Sequence, residues 1–227
     1  MLLFDACIAG YLEAVKQLVL DGADITARHN CAIRYACENG HLEVAKWIWS
    51  LKSDTVLVDV TAENNLAIQR ACQNGHLQVA QWIWSLKSDT VPVDVTAEDN
   101  LPIRWACENG HLEVAQWIWS LKSETVKVDI TAGNNEAIRY ASENGHLAVA
   151  QWIWFLKSDT VVVDITVYDN EALQMVCRRS RLDVLSWMLP LLSEKTIMTA
   201  LNNEYSEQVL DVIRMYIKCK RAKSARQ

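Results

Sequence analysis

Residues 31–65 read CAIRYACENGHLEVAKWIWSLKSDTVLVDVTAENN, and closely similar wording returns three more times before residue 170. The string NGHL ends at Leu42, Leu77, Leu112 and Leu147, and WIW ends at Trp49, Trp84, Trp119 and Trp154, a fixed period of 35 residues. Self-similarity at such a period marks a stacked solenoid, in which each unit buries its apolar faces against its neighbours. Within one unit, Ile33, Ala36 and Cys37 share a face of a short helix that Gly40 ends. A second helix starts near Leu42, with Val44, Trp47, Ile48 and Leu51 on one face and Leu42, Ala45 and Trp49 on another. Only Glu43, Lys46 and Ser50 remain as a polar stripe, so this helix is expected to be sandwiched.

Trp47 and Trp49, two residues apart, cannot share a helical face, and repetition would turn them into two structural ladders. After the helix, Val56, Val58 and Val60 alternate with Leu57 and Asp59, a weak strand signal. Asn64 and Asn65 predict a turn before the next first helix. The unit reads as helix, tight turn, helix and a partly extended return.

NGHLEVA followed by a large apolar triplet, Leu101-Pro102-Ile103 at the head of a first helix, and Asp24-Ile25-Thr26-Ala27 with its counterpart at Asp59–Ala62 resemble the ankyrin repeat. The resemblance extends over nearly the whole chain and implies an all-α, ankyrin-type helical solenoid. The usual unit has about 33 residues. Here the hairpin tip is shortened and the loop after the second helix enlarged, which together account for the longer repeat. The NN-x-A-I-R-Y-A-x-E-N-G-H-L wording is similar to ankyrin arrays of giant viruses of amoebae. The resemblance implies a scaffold or adaptor, with binding through hairpin fingertips disfavoured by their trimming.

The expected layout is a capping repeat at 1–30, four near-identical repeats at 31–170 and a degenerate repeat at 171–193. In the last of these, Arg178-Arg179-Ser180-Arg181 replaces ENGH. A helical cap follows at 194–220, from helices near 195–201 and 206–220, and then a basic tail at 221–227. This makes seven helix pairs.

No apolar run reaches the ~18 residues of a membrane span, and the first residues lack the basic region of a secretory signal. Cys7, Cys37, Cys72, Cys107 and Cys177 occupy one repeat position, where Ser142 stands in the remaining copy. Helices stacked about 8–10 Å apart hold such cysteines beyond the about 7 Å Cα separation of a disulfide. They read as buried thiols in a reducing, cytoplasmic setting. The net charge is −6. Lys218, Lys220, Arg221, Lys223 and Arg226 close the chain; without them 17 bases face 28 acids. That balance argues against a nucleic-acid groove.

Specificity in such an array lies where copies differ. Tyr35, Arg70, Trp105, Tyr140 and Met175 form one varied column on the first helices, expected on the concave side, with side chains typical of binding hot spots. Arg34, Gln69, Arg104 and Arg139 form a second, with Glu38, Gln73, Glu108 and Glu143 at helical ion-pair spacing. From these columns the partner-binding set is Tyr35, Arg70, Trp105, Tyr140, Met175, Arg34, Arg104 and Arg139. Leu57, Pro92, Lys127 and Val162 vary in the outer loop without a theme, and Phe155 interrupts the polar stripe. His41, His76, His111 and His146 are too far apart to share one zinc ion; the resemblance gives them structural hydrogen bonds. No phosphate-binding loop or nucleophile elbow is present. The reading is a monomeric protein-binding scaffold without catalysis, cofactor, metal or small-molecule substrate. Two alternatives stand beside it: an adaptor recruiting an effector such as a ubiquitin-ligase subunit through its C-terminal segment, and a binder of anionic surfaces, nucleic acid or membrane, through the basic tail.

Overall fold

The computed structural model describes residues 2–200 and 205–224. Among them fourteen α-helices follow one another in seven pairs: α1 (Leu3–Ala9) with α2 (Leu12–Leu20), α3 (Ala27–Glu38) with α4 (Leu42–Ser50), α5 (Ala62–Gln73) with α6 (Leu77–Ser85), α7 (Ala97–Glu108) with α8 (Leu112–Ser120), α9 (Ala132–Asn144) with α10 (Leu147–Phe155), α11 (Val167–Arg178) with α12 (Leu182–Met188), and α13 (Glu194–Ala200) with α14 (Glu207–Ser224). The chain divides into two compact units, Met1–Asp129 and Ile130–Gln227. In the first, α1, α3, α5 and α7 pack on one another in chain order, each also against its own second helix. In the second, α9 packs on α11 and α11 on α13, while α12 lies against α10 and α14.

The NGH string closes each pair through its backbone. Gly40 takes φ +78°; its N–H donates to Cys37 O at 3.2 Å, and the His41 N–H donates to Ala36 O at 2.8 Å. That is the two-bond left-handed helix stop that glycine adopts without steric penalty. It recurs at Gly75 and Gly110. Ser180 holds the same place in the degenerate repeat at φ +52°.

The core is what the periodicity predicts. Ile33, Ala36 and Cys37 face Val44, Ala45 and Ile48, all buried, and the pattern repeats through both units. The paired tryptophans are half-buried. The outer member of each pair carries a lysine over its ring: Lys52 on Trp49 at 4.5 Å, Lys87 on Trp84 at 4.3 Å, Lys122 on Trp119 at 4.4 Å and Lys157 on Trp154 at 4.5 Å.

The expected strand is not formed. Val58 and Val60 are buried while Leu57 and Asp59 are exposed, so the alternation is present in burial. Among the described residues the sole β-pairing is the single bridge between Ser88 and Val91.

The turn expected at Asn64-Asn65 is wound left-handed and spans three residues: Glu63 (φ +55°), Asn64 (φ +55°) and Asn65 (φ +66°). Arg28–Asn30, Glu98–Asn100, Gly133–Asn135 and Tyr168–Asn170 repeat it. Such runs are strained outside Gly and Asn, so something must hold them. Before each turn an Asp-x-Thr pair sets the entry: Asp59 accepts the Thr61 N–H at 2.8 Å and its hydroxyl at 2.7 Å. Pro102 sits just past the turn, where a first-turn residue needs no N–H partner.

At the C-terminal end, α13 and α14 match the predicted last pair, shifted by one residue at their starts. The predicted end of the first of them, Leu201, lies outside the described residues. Helix α14 continues to Ser224, so the first residues assigned to the basic tail are helical.

Candidate partner-binding face

Tyr35, Arg70 and Trp105 stand on α3, α5 and α7, each half-buried. Tyr35 meets the ring of Phe4 edge-on, centroids 6.0 Å apart, and the Arg28 guanidinium lies 5.4 Å from the Phe4 centroid. Arg70 stacks on Trp105 from the neighbouring repeat at 5.0 Å and donates to Gln73 Oε1 at 2.5 Å. Cation–π stacking of this kind positions a planar guanidinium without removing all its donors. In the second unit, Tyr140 is stacked by Arg139 at 5.2 Å, and Met175 Sδ accepts from Arg178 at 3.9 Å. Both Tyr140 and Met175 are half-buried.

The arginine column acts differently from the expected helical ion pairs. Arg34 Nη2 donates to Arg28 O at 3.2 Å and to Cys31 Sγ at 2.9 Å. Gln69 in the next repeat donates to Asn64 O at 2.6 Å, Arg104 to Glu98 O at 3.4 Å and Gln174 to Asp169 O at 2.9 Å. These side chains turn back and hold the carbonyls of the left-handed turns, where backbone acceptors have no helical partner. Arg139 is 7% exposed, ion-paired to Glu171 and stacked on Tyr168 at 4.7 Å. Glu143, the partner predicted from spacing, is taken by Arg179 at 2.6 Å.

Two further contacts were not expected. The third residue of each left-handed turn reaches the next repeat: Asn30 Oδ1 accepts the Asp59 N–H at 3.0 Å, Asn65 that of Asp94 at 3.0 Å, Asn100 that of Asp129 at 2.9 Å, and Asn135 that of Asp164 at 3.1 Å. Asn170 occupies the same place with Oδ1 buried and unpartnered. The constant 29-residue spacing from Asn to Asp was the available signal. Phe4 was also missed; aligning Cys7 with Cys37 places it in the Arg34 column.

The histidines close the junctions between repeats. His41 Nε2 bonds the Ile8 carbonyl at 2.8 Å. In the degenerate repeat Arg181 replaces the histidine, and its Nε donates to Glu143 O at 3.3 Å. An added Cβ on Gly40 would lie 2.7 Å from His76 Nδ1, so the glycine leaves room for the ring. His76 has its pKa lowered, chiefly by desolvation and further by His111 and His41, against a hydrogen bond from its ring to the Glu38 backbone carbonyl that raises it. Burial pushes the Cys7 and Cys177 thiols up to about 12. The six buried thiols form no disulfide. Among the described residues no three His, Cys, Asp or Glu side chains gather as metal ligands would. No described helix is long and apolar enough to cross a membrane.

The model of ankyrin repeats matches residues 3–94 in three copies. No curated protein matches this sequence. Among solved structures, the ankyrin repeat domain of Bcl-3, a member of the IkappaB protein family, superposes with a TM-score of 0.54 at 17% identity, covering 93% of this chain and 97% of that one. An ankyrin repeat family protein from Legionella pneumophila is 23% identical with a TM-score of 0.45; the match covers 94% of this chain and 65% of that one. At these identities the likeness is one of fold. Residues 3–94 therefore carry ankyrin repeats, and the glycine stops and paired helices continue the same fold through the remaining residues.

Proposed function

We propose that the chain is a non-catalytic scaffold whose first unit binds a protein partner through Tyr35, Arg70 and Trp105. Ankyrin repeats typically mediate protein–protein contacts, and specificity in an array of near-uniform repeats resides in the columns that vary, of which this one carries hot-spot side chains. The observation that carries the reading is the Arg70–Trp105 stack, half-exposed and 5.0 Å from guanidinium to ring centroid. A pre-ordered Arg–Trp pair offers both an apolar surface and spare donors at low entropic cost on binding.

Tyr140 and Met175 extend the reading to the second unit. Arg34 and Arg104 hold the turns that precede their helices in the first unit, and Arg139 pairs with Glu171 in the second. A monomer in a reducing, cytoplasmic setting fits the six buried free cysteines.

The test compares the wild-type chain with an Arg70→Ala/Trp105→Ala variant in affinity purification from cell lysate, with helicity checked by circular dichroism. A partner held by wild type and lost by the folded variant is the expected result. A variant that retains every partner removes this face from the proposal.

A further inference from the structure

Helix α14 has a side that the repeat pattern does not use. Second helices α4, α6, α8 and α10 have 9 residues each, whereas α14 has 18. Val209 and Ile213 are buried and hold it to the second unit. Further round the helix, Val212, Met215, Tyr216 and Cys219 line a groove of about 280 Å³ with Ser186 of α12 and Leu189. Met215 is 65% exposed. A second recess contains Met198, Ile217 and Lys218.

Beyond Asp211 the charge along α14 is of one sign. From Val212 to the end of the chain no acidic residue occurs, although the rest of the protein is acidic. Arg214 is engaged by Glu207 at 2.5 Å and Asp211 at 3.2 Å, and Arg221 by Glu194. Lys218 and Lys223 stand exposed on the same helix.

We propose that this groove docks an acidic amphipathic helix of a partner protein. An elongated apolar recess along a helix accommodates the apolar stripe of another helix, and methionine adapts to the side chains it receives. The lysines complement carboxylates on the partner's flank, and the acidic remainder of the chain repels such a partner elsewhere. A membrane is disfavoured because the apolar groups line a recess, whereas interfacial insertion uses projecting Trp, Phe or Leu. This surface shares no residue with the Tyr35, Arg70 and Trp105 face.

The experiment titrates the full chain against a fluorescein-labelled synthetic peptide carrying Leu at i, i+3, i+4 and i+7 and Glu elsewhere, read by fluorescence anisotropy. A scrambled peptide of the same composition and phosphatidylserine-containing vesicles serve as the other probes. The striped peptide is expected to bind at least about tenfold more tightly than the scrambled one. Met215→Glu abolishes that preference, and Lys218→Glu/Lys223→Glu weakens binding about tenfold and flattens its salt dependence. Cys219 is the exposed cysteine among seven, so N-ethylmaleimide treatment of the folded wild type blocks the groove without any mutation. Arg70→Ala/Trp105→Ala leaves peptide binding intact. Equal binding of both peptides, binding indifferent to Met215→Glu and to maleimide, or capture of vesicles without the peptide would each overturn the proposal.

Discussion

Asn135 accepts the backbone N–H of Asp164 at 3.1 Å, while Asn170, in the same left-handed conformation one repeat later, has its Oδ1 buried with no donor. The next segment of chain is α13, which enters without an Asp-x-Thr turn. Asn135→Ala therefore strands a backbone donor and is expected to lose about 1–3 kcal/mol. Asn170→Ala should change stability by less than about 0.5 kcal/mol. Urea denaturation midpoints at unchanged slope measure both; similar losses at the two sites would contradict the rung assignment.

Gly40 and Gly22 separate two effects of adding one methyl group. Gly22 has φ +93° and nothing within 4 Å of an added Cβ, so Gly22→Ala meets backbone strain of about 1–2 kcal/mol and little else. Gly40→Ala meets the same strain and also the His76 ring, so it should lower the thermal midpoint further. His76→Ala in the Gly40→Ala background is expected to recover part of the extra loss, a coupling that a double-mutant cycle reads directly.

The His76 junction makes stability sensitive to mild acid. The folded pKa of His76 lies below its ordinary 6.5 because burial and the neighbouring imidazoles disfavour the charged ring. Protonation therefore favours the unfolded chain. The contribution is complete above pH 6.5 and is lost as pH falls through the lower folded value. Denaturation midpoints measured from pH 7.5 down to 5 should decline, and His76→Gln should flatten part of that slope.

Ser142 is fully buried with its hydroxyl unpartnered, at the position where other repeats carry cysteine. Ser142→Ala and Ser142→Cys are both expected to stabilise the protein by about 1 kcal/mol. Calorimetry of the two variants checks this. Destabilisation by Ser142→Ala would mean that the hydroxyl is bonded after all.

Helix positions, the glycine stops and the buried set Ile33, Ala36, Cys37, Val44, Ala45 and Ile48 were legible because they follow from period and local propensity alone. The left-handed turns were only half legible. Asn64 and Asn65 announce a turn, but Glu63 adopts a conformation for which its side chain has no preference. What holds it there is Gln69, bonded to the Asn64 carbonyl, which helical spacing alone does not reveal. The same blindness assigned Arg139 to Glu143. Spacing along one helix sees i and i+4, whereas Glu171, 32 residues on, is brought near only by stacking. At the strand, Val58 and Val60 show inward alternation, but alternation alone does not supply a second strand. The Arg70–Trp105 stack spans two repeats, so the column could be drawn up from sequence but not its pairing.

Every junction with an Asn rung closes with one side-chain carbonyl and one backbone N–H, atoms that are the same whatever residues occupy the outer surface. A cut at any such point, rejoined 35 residues later, would bring together the same chemical groups. The array can therefore gain or lose whole modules without redesign of its seams. The number of modules can vary freely, while the seam residues themselves cannot.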